Sequence, residues 1–183
     1  LHFCSLRTDV DLPVMTGYMT ELAELLAKPP ASIDVRVHAL EEVDIAVISR
    51  LESLTILDDI AEEVTGHLGP KYGHVRTVIL SNEDHPFAIA ALRAKPNAIW
   101  GCACGCVAFV YGSSEKHVVW HEALHLLGAT DCYDTDRPEL NPGPICEVPN
   151  CIMQYVPDPV AVGRWPFLCE RNLRFVRART LVS

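Results

Sequence analysis

The run Trp120-His121-Glu122-Ala123-Leu124-His125-Leu126-Leu127-Gly128, followed by Asp131, constrains this chain more than any other feature. In a helix over Lys116 to Leu127, His121 and His125 lie four residues apart and present both imidazoles on one face. Two neutral imidazoles on a rigid backbone suit a tetrahedral zinc ion. Glu122 stands beside them, where its carboxylate reaches a water on the ion without ligating the ion itself. Gly128 can take positive φ at no steric cost, so the helix stops there and the chain turns sharply. The turn brings Asp131 back towards the histidines as a third ligand, leaving one position for water. The competing reading makes Asp131 a plain turn residue, with Asp134 and Asp136 as nearby substitutes.

Around this motif the chain divides in two. Residues 1–128 read as an upper α/β part that ends in the motif helix. Strands are expected at Leu1 to Leu6, Ile33 to Leu40, Val75 to Leu80 and Val107 to Tyr111. A helix opens at Pro13 and stops before Pro29-Pro30, and a second covers Ile56 to Leu68 with Gly69-Pro70 closing it. Residues 43–55 are ambiguous. Residues 129–183 form a lower, irregular part, because Pro138, Pro142, Pro144, Pro149, Pro157, Pro159 and Pro166 leave no room for long elements. A last helix is expected at Leu168 to Leu181. With 183 residues, 49% of them apolar, one catalytic domain has enough material for a core.

Net charge is −9 with no Lys/Arg cluster, which argues against nucleic acid or an anionic membrane as partner. No apolar stretch is long enough to span a bilayer. The chain opens on Leu1 rather than Met, without a basic stretch leading into an apolar one, as a processed or trimmed start would.

Downstream, Met153 sits in Cys151-Ile152-Met153-Gln154-Tyr155. The full string H-E-x-x-H-x-x-G-x-x-D, with a methionine beyond it, resembles the metzincin signature, whose usual third ligand is histidine. Snapalysin-like members are similar in placing Asp there. Metzincins carry the methionine in a tight turn beneath the metal. Astacin-like and serralysin-like members have a tyrosine two residues later, the offset of Tyr155, where it ligates zinc or stabilises the oxyanion. The cysteines are most similar to those of archaemetzincins, which bind a second, structural zinc. Cys132 follows Asp131, Cys146 and Cys151 read C-x4-C-x-M with Met153, and Cys169 stands where a C-x-x-C begins, with Asn172 in place of the last cysteine.

The resemblance implies a metzincin-like fold: a mixed twisted sheet, two or three helices above an active-site cleft, and a small irregular C-terminal lobe. It implies a zinc-dependent metallopeptidase acting as a monomer on peptide or protein substrates. His121, His125 and Asp131 would hold the catalytic zinc, Glu122 would be general base to a zinc-activated water, and Met153 an apolar floor. The substrate would lie extended along an edge strand between Asn97 and Cys106.

Bland readings stand beside these. Met153 and Tyr155 also read as ordinary packing residues. Cys132, Cys146, Cys151 and Cys169 could form a second zinc site or two disulfides, and with that the compartment stays open, a reducing cytoplasm slightly ahead of secretion. Cys102, Cys104 and Cys106 read as one face of a strand, one of them pairing with Cys4, in preference to a regulatory thiolate cluster. His2, His38, His67, His74, His85 and His117 show no ligand spacing with one another. A catalytically weak or inactive, zinc-stabilised peptide-binding module is the alternative function. A gluzincin-type glutamate ligand, Glu139 or Glu147, is rejected because both lie in the Pro-rich segment.

Overall fold

The computed structural model describes residues 1–7, 12–98, 100–112, 115–133, 146, 148, 151–154 and 167–180. Tyr155, Asp134, Asp136, Glu139 and Glu147 lie outside that set. Five strands, β1 (His2–Ser5), β2 (His38–Ala39), β3 (Thr77–Leu80), β4 (Gly101–Cys104) and β5 (Val107–Val110), make one sheet in the order β2-β1-β3-β5-β4. Neighbours are parallel except the β4–β5 hairpin. The fold is therefore mixed α/β, as expected.

Strand alternation splits the sheet into two cores. Phe3, Val78, Leu80, Ala108 and Val110 face α1 (Leu12–Ala27) and α5 (Lys116–Leu126). Cys4, Ile79, Val107 and Phe109 face α3 (Leu57–Tyr72) and α4 (Pro86–Ala94). Both faces are covered, which is why the central strands read as continuous apolar runs. Helix α5 is fixed on its face by Trp120, fully buried, whose Nε1 donates to Tyr18 O at 2.8 Å. Lys116 Nζ adds a pair with Glu21 at 3.0 Å. Beyond α5, the described residues carry no helix or strand until α6 (Glu170–Thr180). No described helix is long and apolar enough to cross a membrane.

Two expectations need correction, and two further elements stand where none was assigned. The Ile33–Leu40 strand shrinks to His38–Ala39, because only that stretch pairs with β1 at the sheet edge. The ambiguous 43–55 segment is α2 (Glu42–Ile48) running into a 3-10 helix, Ser49–Ser53. Helix α4 was not anticipated at all. Helix α3 does not close at Gly69-Pro70 but continues to Tyr72, ending at Gly73 with φ 75°. Pro70 costs one main-chain hydrogen bond, and tertiary contacts in the next turn offset it. Lys71 Nζ and Tyr72 Oη donate to Asp44 at 2.9 and 2.7 Å, and His67 lies 3.2 Å from the same carboxylate.

Asp44 is buried at the start of α2. Burial alone would raise its pKa, but the hydrogen bonds from Lys71 and Tyr72, with the Lys71 charge and His67, override it and hold the carboxyl below its ordinary value. A depressed folded pKa contributes stability above the unfolded value, about 3.9, and loses it as pH falls through the folded one. Acid unfolding followed by circular dichroism should therefore show a stability loss below about pH 4 that Asp44→Asn flattens. An unchanged acid limb in that variant would remove Asp44 from the account.

Candidate metal centres and active site

Helix α5 ends as the glycine demands. Ala129 N donates to Leu124 O at 3.0 Å and Gly128 N to His125 O at 2.9 Å, with Gly128 at φ 102°. This is a Schellman closure, which needs a left-handed residue at its turn. The reversed chain carries Asp131 back onto the helix. Asp131 Oδ1 lies 3.1 Å from His121 Nε2 and 3.3 Å from His125 Nε2, and the two Nε2 atoms are 3.1 Å apart. The far nitrogens are oriented by main chain, His121 Nδ1 by Ile152 O at 2.8 Å and His125 Nδ1 by Ala129 O at 3.0 Å. Each ring therefore presents Nε2 to the common point, the arrangement that metal-binding histidines use.

Electrostatics agree with a cation site. Burial opposes charge on His121, yet the hydrogen bond to Asp131 and the Glu122 charge push its pKa up to about 9. Burial would raise Asp131, but its bonds to the two histidines hold it well below the carboxylate range. A point that attracts a proton so strongly also suits a divalent ion, which displaces it. Glu122 is only 6% exposed; burial raises its pKa, with the histidines opposing. Its Oε2 has no hydrogen-bond partner among the described residues. A buried carboxylate oxygen without a partner is costly, and such groups cluster where chemistry is done.

A cleft of about 600 Å³ opens over these groups, with Glu122, His125 and Asp131 on one side and residues 94–98 with β4 on the other. Strand β4 is the sheet edge, inside the Asn97–Cys106 interval expected for it. Lys95 Nζ donates to Ala103 O at 2.9 Å along that edge. A smaller pocket adjoins on the side of Trp100, His117 and Gln154. His117 lies one turn before His121 on the same helix face, a spacing that the sequence reading passed over. It pairs with Glu115 at 3.2 Å, and burial lowers its pKa.

Gly101 was also passed over, since a glycine in a strand carries no specific signal. A Cβ there would stand 2.8 Å from Phe109 O, 2.9 Å from Glu122 Cγ and 3.0 Å from Glu122 Oε1. The absent side chain is the space in which the carboxylate sits. Gly101→Ala is expected to cost about 1–3 kcal/mol of stability, as overpacking does. Thermal melts check this, and an unchanged melting temperature in Gly101→Ala would show that the carboxylate needs no such space.

The second cluster lies just below. Cys132, Cys146, Cys151 and Cys169 are buried, and their sulfurs fall within 4.8 Å of one another. Cys132 Sγ is 3.9 Å from Cys151 Sγ and 3.7 Å from Cys169 Sγ, far beyond the roughly 2.05 Å of a disulfide. The bond with Cys151 and burial push the Cys132 thiol up, while the same bond lowers Cys151. Met153 is fully buried in a turn closed by Gln154 N to Cys151 O at 2.9 Å, and its own carbonyl accepts from Cys132 N at 2.7 Å.

All eight cysteines are free thiols. The expected pairing with Cys4 is therefore absent. Cys4 packs in the same core as Cys102, and burial drives each up to about 12, so both act as small neutral hydrophobes. Cys104 Sγ donates to Asp58 Oδ1 at 2.8 Å, while Cys106 lies in the β4–β5 turn rather than on the strand.

No protein-family profile and no curated protein sequence matches this chain. Among solved structures it is similar to an archaemetzincin from Methanopyrus kandleri, at 18% identity and a TM-score of 0.46, over 100% of this chain and 96% of that one.

Proposed function

We propose that this chain is a zinc-dependent metallopeptidase of the metzincin type. Its upper part, 1–128, and lower part, 129–183, form one catalytic domain and meet at the site. The reading is carried by the spacing of three donor atoms where the cleft meets the smaller pocket. A tetrahedron of nitrogen and oxygen ligands around zinc has edges of about 3.3 Å. His121, His125 and Asp131 present donors 3.1, 3.1 and 3.3 Å apart. The four cysteines support a second, structural zinc by the same measure. Thiolates around zinc stand about 3.8 Å apart, against the observed 3.7 and 3.9 Å.

Bound zinc supplies Lewis acidity, polarising the scissile carbonyl and bringing the proton loss of water to about neutral pH. The chain's own groups do the rest. Glu122 takes the nucleophile's proton at its unpartnered Oε2 and passes it to the leaving amine nitrogen. A carboxyl raised by burial is suited to both halves of that transfer. The Ile152 and Ala129 main-chain carbonyls hold the imidazoles by Nδ1 and leave each Nε2 for the ion. Met153 supplies an apolar floor, and Tyr155 is the proposed donor to the oxyanion. An extended peptide adds to the edge of β4, held by main-chain hydrogen bonds.

Zinc-loaded protein incubated with a mixed peptide library should give new termini by mass spectrometry. A chelator should stop this, added zinc should restore it, and elemental analysis should find two zinc ions per chain. Two bound ions with no cleavage of any peptide would replace the enzyme by a zinc-stabilised peptide-binding module.

A further inference from the structure

The third ligand of one centre and the first thiol of the other are consecutive residues, Asp131 and Cys132, and two side chains of α6 grip that stretch. Asn172 is fully buried. Its Oδ1 accepts from Thr130 N at 2.8 Å, and its Nδ2 donates to Thr130 O at 2.8 Å and to Cys132 Sγ at 3.3 Å. With Thr130 Oγ1 also donating to Oδ1 at 3.3 Å, four bonds fix the amide's orientation and leave it one way to sit. Next to it, Arg171 Nη2 donates to Asp131 O at 2.8 Å and to Thr130 Oγ1 at 3.0 Å. From the opposite side, Met153 O accepts from Cys132 N. Ile152 O, one residue from Cys151, holds the His121 ring. The two centres thus touch along links only one or two residues long.

A link so short and so fully hydrogen-bonded has little freedom to adjust one end alone. Moving Cys132 towards the other sulfurs must carry the Asp131 carboxylate with it, provided that Thr130 stays clamped. The N–H aimed at Cys132 also favours the thiolate that an ion requires.

We infer that Asn172 is a positioning residue that couples the two centres, so that filling the four-thiol site sets Asp131 and tightens ion binding at His121 and His125. The inference rests on the two-ion assignment above and is independent of hydrolysis. Asn172 holds the place that a last cysteine would take in the resembling pattern. Four sulfurs already complete their cluster, so the amide is free for this structural link. Linkage makes the effect reciprocal: an ion at the histidines must tighten the thiol site by the same factor.

The test uses the full chain with Cd2+ as the thiol-seeking probe and Co2+ as the probe of the histidine site. Co2+ affinity is measured by competition with a chromophoric chelator, and any Co2+ on sulfur is identified by its sulfur-to-cobalt absorption. One equivalent of Cd2+ should raise Co2+ affinity at the histidines about tenfold or more, a typical coupling. In Asn172→Ala, Cd2+ uptake should stay at one equivalent while that gain falls below about threefold. If Asn172→Ala does not fold, Asn172→Asp keeps the size and the acceptor but loses both Nδ2 donations, and carries the same expectation. A native gain within about twofold of unity, or an undiminished gain in the folded variant, overturns the inference. No Co2+ at the histidines overturns it together with the proposed function. Full coupling without peptide cleavage supports it and removes hydrolysis alone.

Discussion

Glu122→Gln should abolish peptide cleavage, lowering kcat about 10²–10⁴-fold, the usual contribution of a positioned general base. The metal should stay at one ion per histidine site, because Glu122 supplies none of the three donor atoms at the common point. Stability is the more discriminating readout. The native carboxylate is buried, leaves Oε2 without a described partner, and feels the Asp131 charge nearby. Removing that charge eases a desolvation cost, so the melting temperature should be unchanged or higher even as activity disappears. Glu122→Asp retracts the carboxyl from the cleft and should fall between the two. Native-like turnover in Glu122→Gln would end the base assignment, and metal loss there would make Glu122 a ligand instead.

The meeting of His121, His125 and Asp131 was legible because its signal is local. Helical spacing alone sets His121 and His125 on one face, and Gly128 is the residue that a Schellman closure requires. What lay beyond reach was the surrounding support. Gly101 matters through a contact with a residue 21 positions away, and no pattern in the chain announces which strand will face α5. Asn172 reads from sequence as a missing cysteine, yet its side chain makes four hydrogen bonds to residues about 40 positions earlier. In the fold, α4 hides because its outward positions are mostly apolar as well, with Ile89 exposed and Leu92 half-buried opposite buried Phe87, Ala88, Ala90 and Ala91, which blurs the helical period. The end of α3 hides for the opposite reason. Gly69-Pro70 is a local stop signal that Asp44, contributed from α2, outweighs.

Cys151→Ala should remove one bound metal equivalent and destabilise the chain by about 3–5 kcal/mol, the scale for leaving a buried charged cluster without one partner. At about 2–4 °C per kcal/mol for a chain of this size, the melting temperature should fall by roughly 6–20 °C. The size of the effect follows from where the sulfur sits. Cys151 is fully buried, accepts from Cys169 N at 3.4 Å and lies 3.9 Å from Cys132 Sγ, a contact that lowers its pKa. Its loss leaves three sulfurs facing each other with no ion to collect their charge, below the turn whose Ile152 carbonyl orients His121. Cys4→Ala is the control that separates this from mere packing. Cys4 is equally buried and equally a free thiol, but it lies in the other core, among Leu40, Ile79 and Phe109. That change should cost about 1 kcal/mol, the scale of a small truncation in a core, and leave metal content untouched. Equal melting shifts for the two variants, with the same zinc count by elemental analysis, would mean that the four cysteines are core residues that happen to meet, with no ion to hold.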